Sequence, residues 1–278
     1  MKTVAGVSKW WTRATKPFAT LPYYWNRLAM GISIDSPPAF IVGCGHSGTS
    51  IVLAILDAHS RINAVQCESY IAVDENRSEF DKAMEQFNRL AIAAGKTRWV
   101  EKTPEHIRHI GKILEWQPKA KVILIIRDGR DVAYSIQKRT GSLDRGIRRW
   151  CDDNLAGKEY WSHPNVYVVK YEDLVSDVET TITGILSFLD EEYECGMRNY
   201  HTRSKRWYSN VVSKPETSHG ENHGKHRNWQ INQPIFDGRA RWKEMSAEEL
   251  SFINSIAGPM LVEFGYTESD DSTTKSVA

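Results

Sequence analysis

The chain lacks a charge imbalance. Its 36 Lys and Arg face 35 Asp and Glu, for a net charge of +1, so nucleic acid is not an indicated partner. It also lacks long apolar runs, and nothing approaches the length of a membrane-spanning helix. The start, Met1-Lys2-Thr3, soon meets Trp10, Trp11, Arg13 and Lys16. Without an apolar h-region there, no secretory signal is expected. Cysteine is sparse: Cys44, Cys67, Cys151 and Cys195 form no CxxC pair. They read as reduced thiols of a cytoplasmic chain, with a disulfide the less favoured alternative. What remains is ordinary globular composition, 41% hydrophobic and 26% charged over 278 residues, enough for one large α/β domain or two small ones.

One further absence is chemical. Phe40-Ile-Val-Gly-Cys-Gly-His-Ser-Gly-Thr-Ser50 reads as a buried strand, a glycine-rich loop and a helix opening with Ile51, Val52 and Leu53. That geometry holds a phosphate on a helix N-terminus, with Gly43, Gly45 and Gly48 letting backbone N–H groups approach an anion. Gly43 and Gly48 have P-loop spacing and Ser50 takes the Ser/Thr position, but Thr49 stands where the P-loop lysine belongs. The pattern predicts a phosphate grip without the lysine that reaches a γ-phosphate, and points away from ATP or GTP hydrolysis. An ordinary strand–helix turn is the plain alternative.

Along the chain, residues 1–38 form a lead segment rich in Trp, Tyr and Pro, 39–267 the main domain, and 268–278 a polar tail expected to be disordered. Strands are predicted at 40–42, 62–66, 99–101, 122–126 and 166–169. Helical patterns run over 49–58, 78–94, 106–116 and 131–139. Another, near 143–161, carries Ile147, Trp150, Cys151, Asn154 and Leu155 on one face, and a further one holds Val178, Ile182, Ile185, Leu186 and Leu189. Ser246 with Glu249 makes a capping box for a last helix. The alternation argues for an α/β fold, a P-loop-like three-layer sandwich whose central, mostly parallel sheet is flanked by helices. Residues 200–241 break into a polar loop. Within it His219, His223 and His226 permit metal ligation in principle, but a flap hinged at Gly220 and Gly224 is the preferred reading and no metal is expected.

A second anion motif follows the strand at 122–126. Ligands in open α/β sheets bind beyond the carboxyl ends of strands, and Arg127 stands at such an end. Arg127, Ser135 and Arg139 could converge on one phosphate, with Arg130 and Asp131 as a surface pair. Two anion sites suggest a nucleotide with phosphates at both ends.

With these motifs the chain resembles the sulfotransferases that use 3′-phosphoadenosine-5′-phosphosulfate (PAPS), closest to the branch with tyrosylprotein and bacterial carbohydrate sulfotransferases. The resemblance runs from about Phe40 to Tyr266. It takes in Glu101-Lys-Thr-Pro104, Tyr171-Glu-Asp-Leu174, Asn232-Gln-Pro234, Arg241-Trp242 and Phe264-Gly-Tyr266. It implies that Gly45, His46, Ser47, Gly48, Thr49 and Ser50 cradle the phosphosulfate. Arg127, Ser135 and Arg139 would hold the 3′-phosphate, and Tyr171, Arg227 and Arg241 would belong to the nucleotide site. His46 replaces the Arg or Lys common at its position, and a family serine is Arg227 here. Lys102 matches a lysine used on the transferring group, and Glu68 falls at the base position.

The implied reaction moves a sulfuryl group in line from PAPS to a hydroxyl acceptor, expected to be a carbohydrate or glycolipid, with adenosine 3′,5′-bisphosphate as product. Glu68 would be the general base, with Lys102 and His46 stabilising charge. The plain readings are a solvated Glu68 beside Arg61, a Lys102 paired with Glu101 or capping backbone, and a His46 that only bonds within the loop. Rival functions are a nucleotide kinase on the same fold and a non-catalytic module binding adenosine bisphosphate or sulfated glycan. The acceptor's identity and the oligomeric state are open.

Overall fold

The computed structural model describes residues 34, 36–74, 76–217 and 222–266. Most of the lead segment, with Trp10, Trp11 and Trp25, lies outside them. So do His219, Gly220 and the 268–278 tail.

Five short strands form one parallel sheet: β1 (Ala39–Gly43), β2 (Ile62–Ala64), β3 (Arg98–Lys102), β4 (Lys121–Ile126) and β5 (Val166–Lys170). Their spatial order is β2-β3-β1-β4-β5, with Ile41 opposite Lys102 on one side and Ile123 on the other. A parallel sheet covered on both faces needs near-continuous apolar strands. β1 (AFIVG) meets this with every residue buried.

Nine described α-helices supply the connections and cover: α1 (Thr49–Leu56), α2 (Arg77–Ala93), α3 (Ile110–Trp116), α4 (Gly129–Thr140), α5 (Leu143–Lys158), α6 (Tyr171–Ser176), α7 (Val178–Phe188), α8 (Asn222–Gln230) and α9 (Ala247–Glu263). On one face Val52 and Ile55 of α1 pack with Ile182 and Leu186 of α7 and Ile41 of β1. On the other, Phe80 and Phe87 of α2 pack with Phe40 and Trp99, Trp99 meeting Phe40 edge-on at 5.5 Å. A third cluster joins Trp150 of α5 to Ile253 and Phe264 at the end of the chain. The capping box predicted at Ser246 and Glu249 is present at the start of α9.

Several expectations need correction. The helix predicted at 106–116 opens as a 3₁₀ turn at Pro104–His109 before α3, since Pro104 pre-sets a helical start but no N–H bond. Leu155 points away from the packed face of α5 and is 63% exposed, while Ile147, Trp150 and Asn154 are buried. The segment read as a polar loop contains α8, and a 3₁₀ helix at Cys195–Thr202 runs into its start. Gly224 therefore lies inside a helix and not at a hinge.

Candidate active site

The loop 44–48 joins β1 to α1 at the centre of the sheet, where strand ends open a crevice. Gly48 has φ +92, and a Cβ there would lie 2.7 Å from the Tyr171 ring, so the loop and α6 touch only because that side chain is missing. No side chain caps α1, which leaves its first-turn N–H groups available to an anion. A cavity of about 410 Å³ lies over this end. Gly45, His46, Gly48, Thr49, Ser50, Glu68, Arg127, Ser135, Arg139, Tyr171, Arg227 and Arg241 all line it.

Ser47 and Lys102 do not line the cavity. Ser47 is fully buried, with its N–H donating to Cys44 O at 3.2 Å. Lys102 is buried behind the wall and reaches Glu68 Oε1 at 2.5 Å. Its partner is thus Glu68, neither Glu101 nor a local carbonyl.

Glu68 follows β2 on a segment pinned from below. Ser69 N–H and Oγ donate to Glu101 Oε1 at 3.1 and 2.8 Å, and Ala72 N–H donates to His106 Nε2 at 3.3 Å. Glu101 and His106 are themselves fully buried. Arg227 Nη2 also reaches Glu68 Oε1, at 2.7 Å, and Tyr70 OH donates to Oε2 at 3.0 Å. Burial alone would raise the Glu68 pKa, but Lys102 and Arg227 outweigh it and hold the carboxyl at about 2.

Arg127, at the end of β4, donates from Nη1 to His46 O at 2.9 Å and from Nη2 to Gly238 O. Its guanidinium lies 4.3 Å above the Tyr171 ring. Its buried Nε has no hydrogen-bond partner among the described residues. His46 adopts φ +74 and shares a 2.8 Å hydrogen bond between Nδ1 and Ser135 Oγ. The two expected anion motifs thus touch. Burial first, then Arg139, His223, Arg149 and Arg127, hold the His46 pKa down at about 3. The imidazole is neutral near pH 7 in this state and does not replace the missing loop cation.

Arg130 and Asp131 are not a surface pair. Both are buried: Arg130 binds Asp128 and lies 4.0 Å from the Trp242 ring, while Asp131 accepts from Ala240 and Trp242 N–H, each at 3.0 Å. This clamps the Arg241 segment against α4. Arg241 itself is half-exposed, 5.1 Å from the Tyr134 ring.

Sequence reasoning missed Arg149, Lys138, Tyr70 and Tyr208. Arg149 and Lys138 line the cavity from α5 and α4, and Tyr208 lies 3.8 Å beneath the Arg227 guanidinium. None belongs to a motif. The one available signal was the i,i+4 spacing of Arg149 and Asp153. His223, from the segment read as a flap, stacks 6.3 Å from His46. No group of three His, Cys, Asp or Glu among the described residues could hold a metal.

The model of the sulfotransferase family matches residues 64–195. Over that span, just under half of its length, the chain is similar to the sulfotransferase family. Among its relatives is an uncharacterized protein of Aquifex aeolicus, 25% identical over 208 residues, covering 61% of this chain and 27% of that one. Protein-tyrosine sulfotransferase A of Caenorhabditis elegans is 26% identical over 273 residues, covering 85% of this chain and 69% of the relative. The chain thus spans about a quarter of the first relative's length and about two thirds of the second's. The fold is that of mouse sulfotransferase SULT7A1, a structure complexed with PAP, at a TM-score of 0.56 and 14% identity over 84% of this chain and 86% of that one. The family's parallel sheet flanked by helices is the one found here. No helix among the described residues is long and apolar enough to cross a membrane.

Proposed function

We propose that the cavity binds PAPS and that the chain catalyses sulfuryl transfer from it to a hydroxyl acceptor. The observation that carries this reading is the crowding of Arg127, Arg139, Arg149 and Arg227 around a helix-start loop, with the Glu68–Lys102 pair at its edge. Four guanidiniums around one helix-start loop suit a polyanion, and the Arg127 Nε, unpartnered among the described residues, fits a phosphate oxygen. The structure complexed with PAP is a second support. The missing P-loop lysine weighs against a kinase.

In this reading the loop N–H groups and arginines fix the donor, which supplies a sulfur activated by a phosphate leaving group. Glu68 accepts the acceptor hydroxyl's proton as the acceptor O–S bond forms and the S–O bond to phosphate breaks. Lys102 stabilises the charge left on that phosphate, whose nucleotide departs as adenosine 3′,5′-bisphosphate. Positioning and electrostatics dominate such transfers, with general-base help worth about 10²–10⁴-fold. A donor anion drawing Lys102 and Arg227 toward itself frees Glu68 from the pairing that now makes it a weak base.

The acceptor assigned is a carbohydrate or glycolipid hydroxyl and the setting cytoplasmic. Tyr70 and Phe236, both at the cavity and more than 40% exposed, offer stacking faces for a sugar. The tyrosine-sulfotransferase relative makes a peptide tyrosine the control acceptor. One observation favours a silent binding module: Glu68 is held by two cations. Calorimetry with adenosine 3′,5′-bisphosphate and with ATP, each without and with magnesium, followed by transfer assays on sugar and tyrosine-peptide panels, tests these readings. Micromolar binding of adenosine 3′,5′-bisphosphate with turnover on a sugar is expected. Binding without turnover on either panel favours the module, and magnesium-dependent ATP binding alone overturns the donor assignment.

A further inference from the structure

The loop from Gly43 to Ser50 contains neither Lys nor Arg, and its one titratable ring, His46, is neutral near pH 7. A cation nevertheless stands against it. The Arg149 guanidinium reaches across from α5, its Nη2 lying 3.4 Å from where a Gly45 Cβ would be. Any side chain at position 45 would press on it. Arg149 lines the cavity and its side chain is 31% exposed.

Its anchoring leaves its charge unspent. Asp153 engages Nε at 3.2 Å, and Nε is the only Arg149 nitrogen hydrogen-bonded among the described residues. Asp153, itself buried, is already paired with Arg108 Nε at 2.5 Å. One buried carboxylate thus serves two guanidiniums, and the paired Nη groups of Arg149 are presented beside the loop backbone. The guanidinium thus lies against Gly45, in the loop read as the phosphosulfate cradle.

We infer that Arg149 is a donor-binding residue that supplies the loop's missing cation, holding the 5′-phosphate group through its Nη pair while Asp153 fixes its orientation. The inference rests on the donor reading above. A planar fork held at Nε suits two oxygens of one phosphate. No covalent step is involved.

Calorimetric titration of parent, Arg149→Gln and Arg149→Lys with adenosine 3′,5′-bisphosphate and with adenosine 3′-monophosphate tests it, with thermal melts as a folding control. Arg149→Gln should weaken the bisphosphate roughly 10- to 100-fold and change the 3′-monophosphate by less than about 2-fold. Arg149→Lys keeps the charge without the fork and should lose less. If Arg149→Gln melts below the titration temperature, Arg149→Lys carries the comparison, with a selective loss on the bisphosphate still expected. Unchanged bisphosphate affinity, or equal losses on both nucleotides, overturns the role of Arg149 and leaves the donor reading intact. A parent that binds neither nucleotide overturns both.

Discussion

Glu68 Oε1 lies 2.5 Å from Lys102 Nζ, with Lys102 fully buried on a central strand and Glu68 on the loop beside it. In the proposed transfer the pair ties the proton acceptor to the cation of the leaving group, so each would control the other's availability. Replacing Glu68 by Gln removes the base yet releases Lys102 and Arg227. Transfer should fall at least about 10²-fold, with adenosine 3′,5′-bisphosphate bound no more weakly than by the parent. Steady-state rates and calorimetry check this, and a variant that retains its rate refutes the base assignment.

Lys102→Met acts on the same pair from the other side. Losing the nearer cation raises the Glu68 pKa from its present value of about 2, because only Arg227 then opposes desolvation. The acidic limb of the kcat profile should move to higher pH, along with a lower plateau. A lower plateau with an unmoved limb would mean that Lys102 does not control the ionisation of Glu68.

Gly48→Ala tests the loop's shape. A left-handed backbone at φ +92 and a methyl 2.7 Å from Tyr171 should together cost about 1–3 kcal/mol. Tyr171 carries Arg127 on its other contact, so bisphosphate affinity should drop as well. Denaturant melts and titration report both effects.

His46 makes stability depend on pH. Its folded pKa, about 3, lies below the ordinary value of an unfolded chain, so the unfolded state binds the proton first. Its contribution is complete above about pH 6.5 and declines as pH falls toward 3. Between pH 7.5 and 5.5 the loss should approach about 1 kcal/mol without ligand, and His46→Asn should flatten it. An unchanged slope in His46→Asn would show that other groups carry the acid sensitivity.

The sheet was readable because a parallel strand buried on both faces cannot hide its apolar run: β1, β4 and β5 lie where the Val and Ile clusters stand. The anion loop and Arg127 were readable because glycine spacing and a strand-end arginine are local signals. Arg149, Tyr70 and Tyr208 were not. Arg149 and Tyr70 reach the cavity, and Tyr208 the Arg227 guanidinium, through tertiary packing, and a lone Arg on an amphipathic helix looks like any solvated charge. Asp131 misled for the converse reason: beside Arg130 in sequence, it bonds backbone N–H groups at 240 and 242 instead.

The strand order carries a consequence for how the chain reaches this state. β1, the earliest strand among the described residues, sits in the middle of the sheet, and both of its neighbours, β3 and β4, come later. A nascent chain leaves β1 without β3 until residues near 102 have emerged, and its other edge open until residues near 126. Pairing must then close long loops, a slow route for a parallel sheet. The cavity over the glycine loop, hung on β1 and walled by Arg227 and Arg241 from late in the chain, is therefore expected among the last parts to take shape during synthesis. A truncated product ending before β4 would carry the whole glycine loop and still have no site.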